Sequence, residues 1–168
     1  MSKIIALVYA DKSIPAEIYE EVRHLQSEGR LELIDVTEVE IKDNGKLKFE
    51  RSMSSPIVGH TEGTFLPSLV GLLFFNPQHS VNDAVKKTLA EIAFDPNFVN
   101  SIATEVSPRN SVMFLYTQDD VSQGTLGLIS QHGGRILQMS LSGFQEERLE
   151  RLFRGHHFEH QETTMHSP

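Results

Sequence analysis

The 168-residue chain contains no cysteine. That absence excludes disulfides, thiolate metal sites, iron–sulfur clusters and a cysteine nucleophile. Positive charge is also scarce: 15 Lys+Arg stand against 23 Asp+Glu, a formal net charge of −8. Neutralising nucleic-acid phosphates takes a basic surface, as does a polybasic membrane anchor, so composition argues against both partners. A long apolar run is missing too. The most apolar stretch, Phe65 to Phe75 (FLPSLVGLLFF), stops at Asn76-Pro77. It has about half of the roughly 20 residues a membrane-spanning helix needs. The phosphate-loop, dinucleotide-binding and serine-hydrolase glycine patterns do not occur.

What is present suffices for a folded core, with 39% hydrophobic and 23% charged residues. Met1-Ser2-Lys3 precedes the short apolar run 4–10, which passes straight into Asp11-Lys12. It reads as a first strand rather than a signal peptide. A soluble cytoplasmic protein is expected, with membrane association possible in principle but not favoured.

Apolar strands are expected at 4–10 and 111–117, uninterrupted as in strands buried on both faces. Between them, Ile18, Val22 and Leu25 keep helical spacing before Gly29, and residues 31–41 largely alternate. Asn44-Gly45 between alternating segments signals a hairpin, because a type I′ turn needs positive φ at both central positions. Residues 52–64 read as a loop. Ser80 to Asp83 reads as a capping box, Asp95-Pro96 as a helix start, and Asp120 as the cap of a helix ended by Gly133-Gly134. Gly124 and Gly127 inside that helix each cost about 1 kcal/mol relative to Ala. After a strand at 135–141, Ser142 and Gln145 form a capping box for the last helix, with Gly155 as its stop.

The two strand–helix–strand stretches share one plan. Tyr9 and Tyr116 each end an apolar strand and are followed within four residues by Asp. Right-handed crossovers pack two such units as a split βαβ sheet, so the expected class is α+β, ferredoxin-like. One domain over 1–155 is expected. A β-hairpin and helical insertion at 42–107 lies between its halves, and a polar His-containing tail, 156–168, follows.

Arg23-His24-Leu25-Gln26-Ser27-Glu28-Gly29, Asp43-Asn44-Gly45-Lys46, Gly71-Leu72-Leu73-Phe74, the Ile92–Phe98 spacing and the final strand–helix–Gly-Gly–strand occur in a telling order. In that order the chain resembles the bacterial domain of unknown function 1269 family over about residues 3–153. Family members are often labelled predicted membrane proteins. The resemblance implies no established catalytic residues. The family's Gly/Ala-rich continuation after G-L-L-F is replaced here by Asn76-Pro77-Gln78-His79 and a segment with Lys86-Lys87, so the membrane label does not carry over.

No candidate chemistry assembles into a site. His156-x-x-Glu159-His160 spells the inverted zincin pattern, but it follows a Gly stop with eight residues left, and a solvated tail is expected. His24 lies among Glu20, Glu21 and Glu28 as a surface residue, and His60 and Glu62 sit in a loop. No metal, cofactor or enzymatic activity is expected. Tyr9 and Tyr116, placed at the same end of adjacent central strands, are the candidates for a pocket. So many large apolar side chains do not stay exposed on a stable monomer, so the apolar segment fills the space between sheet and inserted helices, makes a dimer or touches a membrane, the first two being compatible; through Phe65, Leu69, Leu72, Leu73, Phe74 and Phe75 it is the candidate interaction surface. The expected function is a non-catalytic interaction module that self-associates, as a homo-oligomer, or binds a protein partner through its inserted apolar helices. The alternative is a small-molecule or ion sensor binding between sheet and insertion.

Overall fold

The computed structural model describes residues 2–10, 14–44, 46–50, 65–75, 87, 89–118 and 121–156. In chain order the elements are β1 (Ser2–Tyr9), α1 (Ala16–Ser27), β2 (Leu33–Ile41), β3 (Leu47–Glu50), α2 (Phe65–Phe75), α3 (Pro96–Glu105), β4 (Ser111–Thr117), α4 (Gln123–Ser130), β5 (Arg135–Leu141) and α5 (Gly143–His156). The expectations for 52–64, for the Ser80 capping box and for the tail beyond His156 lie outside the described residues.

The class is α+β, built on one five-stranded sheet of order β3-β2-β4-β1-β5. Every neighbouring pair is antiparallel. Each strand–helix–strand unit brackets the first strand of the other: β1 and β2 flank β4, while β4 and β5 flank β1. The two first strands are therefore central, and their uninterrupted apolar sequence follows from that. β4 is buried along its whole length, and β1 is buried except at half-buried Lys3.

Strand alternation splits the core in two. Ile5, Leu7, Val36, Met113 and Leu115 face α1 and α4 through Ile18, Val22, Leu25, Leu126 and Ile129. Both crossover helices occupy this face, as right-handed connections require. Ile4, Ala6, Val8, Val39, Val112 and Phe114 point the other way. A sheet with that much apolar surface on its second face needs a second cover. The insertion supplies it: Leu66, Leu69, Val70, Leu72 and Leu73 of α2 are buried there with Phe98 and Ile102 of α3 and Leu149, Leu152 and Phe153 of α5. α2 is apolar almost all round because it is enclosed almost all round.

The caps follow the sequence in two cases. Asp95 accepts from the Asn97 and Phe98 amides, and Ser142 and Gln145 exchange side chain-to-amide bonds at 3.1 and 2.9 Å. Two expectations are corrected. Ser122, not Asp120, caps α4, accepting from the Thr125 amide at 3.1 Å. α5 runs through Gly155 to His156, so Gly155 is not its stop.

Candidate functional site

The two tyrosines do not share a pocket. Adjacent central strands are antiparallel, so Tyr9 lies opposite Ser111, while Tyr116 lies opposite Ile4 at the other end. They also point to opposite faces, Tyr9 into the layer under α1 and α4, Tyr116 into the layer under α2 and α5. The repeat placed equivalent residues correctly along each strand. The expected common end failed because interleaving the units reverses one strand against the other.

Tyr116 is a brace. Its ring stacks on Phe65 at 5.1 Å, and Phe65 meets Phe153 edge-on at 5.6 Å. Its hydroxyl donates to the Glu146 carboxylate. Burial first, and then the bond to Glu146, pushes the phenol pKa well above its ordinary value. The cluster ties α2 and α5 to the sheet. Tyr9 has no such anchor. Its hydroxyl is buried with no hydrogen-bond partner among the described residues, and burial alone pushes its pKa up to about 12.

The interaction residues expected on 65–75 are mostly core. Leu69, Leu72 and Leu73 are buried against the sheet and the neighbouring helices, and Phe65 is half-buried in the aromatic cluster. They fill the space between sheet and insertion, where a sensor cleft was the alternative. The side chains of Phe74 and Phe75 lie outside the described residues. Buried Glu38 escaped the sequence reading. It accepts from Tyr19 of α1 at 2.5 Å. Its signal was its phase, two residues from inward-facing Val36 on the same face of β2.

Two open hollows lie among the described residues. One, of about 400 Å³, lies at the β2–β3 hairpin and is lined by Glu40, Ile41, Lys42, Asp43, Asn44 and Lys48. Arg109 closes over this end, bonding Asp43 at 2.9 Å. The second is a groove of about 450 Å³ at the start of α3, lined by Leu89, Ala90, Ala93, Phe94, Pro96, Val99 and Asn100. All but Asn100 are apolar and none is charged. The chain turns sharply there, with Ala93 at φ +55°, and Gln145 of α5 holds the turn through the Ile92 and Ala93 carbonyls at 2.9 and 3.2 Å. The exposed residues of α3 continue the uncharged surface: Asn97, Asn100, Ala103 and Thr104. The exposed faces of α1 and α5 instead carry Glu17, Glu20 and Arg23, and Glu147, Glu150, Arg151 and Arg154.

Among the described residues no group of three His, Asp or Glu is placed to hold a metal ion, and no helix is long and apolar enough to cross a membrane. Fold and surface define an α+β protein with both sheet faces covered and, among the described residues, an open groove lined without charge. The chain belongs to the family described as Protein of unknown function (DUF1269), whose model matches residues 60–154. That span holds α2, α3, β4, α4, β5 and nearly all of α5, so it includes the groove. No curated protein and no solved structure matches the chain.

Proposed function

We propose that this chain is a non-catalytic interaction module on a ferredoxin-like frame, and that its insertion carries the contact surface. The interleaved strand order supports the frame. The observation that carries the function is the groove between Leu89 and Asn100, apolar, open and continued by the uncharged exposed face of α3, where α1 and α5 present charge. Depletion of charge around an apolar hollow is the signature of an interface core. The occupant is an apolar segment of a protein partner, short enough to seat between the turn at Ala93 and the first turns of α3. On this reading the contact lies on exposed α3 of the insertion rather than on enclosed α2.

A Leu-rich amphipathic peptide, titrated against isotope-labelled protein, tests the reading. Amide shifts should concentrate at residues 89–100, be absent with a polar control peptide, and disappear in Val99→Asp. Shifts spread evenly over the surface, or unchanged in Val99→Asp, would remove the groove as the contact.

A further inference from the structure

The two edges of the sheet are unlike. β3 closes one edge with four residues, two of them Lys48 and Glu50. Short, charged edge strands resist pairing with other chains. β5 closes the other edge with seven residues and a single charge. It contains no Pro and no Gly. It pairs with β1 in unbroken register from Leu141 opposite Ser2 to Arg135 opposite Val8, so no bulge bends it away. Among the described residues β1 is its only strand neighbour. Its single charged residue, Arg135, is already bonded to Glu105 of α3 at 2.9 Å. The outer row of backbone donors and acceptors is thus presented by a strand with no charge beyond Arg135, which Glu105 at the end of α3 pairs.

We propose that β5 is a pairing edge whose occupant is a second copy of this chain, joined β5 to β5 in antiparallel fashion about a twofold axis at Gln138. Self-complementarity selects the occupant. A net charge of −8 sets copies of this chain against one another over most of the surface, but β5 carries no acidic residue, so two copies meet along it without opposing like charges. Centring on Gln138 places Arg135 opposite Leu141, Ile136 opposite Ser140, and Leu137 opposite Met139. Directly opposed residues in an antiparallel pair share a face. Leu137, only half-buried in one copy and packed on the Met139 layer, therefore gains Met139 of the second copy as a neighbour, and the core under α2, α3 and α5 continues across the seam. Such a closed isologous contact ends at two copies.

Gln138 is exposed, so its replacement leaves the fold intact, and near-ultraviolet circular dichroism checks this. Sedimentation equilibrium on wild type, Gln138→Glu, Gln138→Lys and an equimolar mixture of the two variants is decisive. The wild type should form dimers. Each variant alone places like charges face to face and should weaken dimerisation by about tenfold or more. The mixture, which opposes Glu to Lys, should recover it. A wild type monomeric at every concentration overturns the proposal, as does a dimer indifferent to both variants. A mixture that fails to recover overturns the axis at Gln138. Val99→Asp should dimerise like wild type, so failure of the groove and failure of the edge are read separately.

Discussion

Gly134 lies against the ring of Tyr9, so close that a Cβ on the glycine would come within 2.5 Å of Tyr9 Cε1. Its backbone also sits at φ +87°. Both facts forbid a side chain there, because the left-handed region is costly for other residues and the ring has packed neighbours behind it. Gly134→Ala should therefore lower the free energy of unfolding by about 1–3 kcal/mol. Gly127 is the opposite case. It lies inside α4 without positive φ, and a Cβ there meets nothing within 4 Å. Gly127→Ala should raise stability by about 0.5–1 kcal/mol through helix propensity alone. Urea denaturation of the two variants beside wild type checks both signs in one experiment.

The same two-sided test applies to the tyrosine hydroxyls. Tyr9 buries its hydroxyl with no partner among the described residues, and an unmade buried hydrogen bond is a standing cost. Tyr9→Phe removes the group that pays it and should stabilise the fold by about 1 kcal/mol. Tyr116 donates to Glu146, so Tyr116→Phe removes a bond to a carboxylate and should destabilise by about 1.5–3 kcal/mol. Thermal unfolding at neutral pH should give melting temperatures on opposite sides of wild type.

Much of this was legible in the residues. The unbroken apolar runs at β1 and β4 announced strands covered on both faces, and the Asp95 and Ser142–Gln145 caps stood where the chain spelled them. Strand direction was not legible, because it is set by how two units interleave, and that misplaced Tyr9 against Tyr116. α2 showed in its composition that it is enclosed, yet a helix apolar on every side carries no periodicity to say against what. The groove was illegible for a related reason. Ala90, Ala93 and Pro96 are ordinary small residues until the turn at Ala93 and the bonds from Gln145 set them around a hollow.

The difference between enclosed α2 and exposed α3 can be measured. Leu69 is fully buried between sheet and helices. Leu69→Ala leaves a cavity and should cost about 2–5 kcal/mol, visible as a lower urea midpoint with no change in any binding that survives. Val99 is half-buried at the rim of the groove. Val99→Asp should cost far less stability while abolishing peptide binding. A Leu69→Ala variant as stable as wild type would mean that α2 does not pack against the sheet as described.

Alkaline pH probes the buried phenols directly. Tyr9 ionises near its ordinary value of 10 in the unfolded chain and near 12 in the fold, because burial disfavours the phenolate. Between those values the folded state holds a proton that the unfolded state has released. Stability therefore falls with rising pH in that window, since it rises with pH only where the unfolded state binds more protons. The contribution is complete below pH 10 and is lost progressively as pH climbs toward 12. Tyr116 acts in the same direction, its phenol held neutral by burial and by the neighbouring Glu146 carboxylate. Urea midpoints for wild type and Tyr9→Phe, taken at steps from neutral pH upward, should keep a constant separation below pH 10 and diverge above it. Wild type should lose stability the faster of the two. Parallel curves throughout would show that the Tyr9 hydroxyl ionises as easily in the fold as in the unfolded chain, and hence that water reaches it.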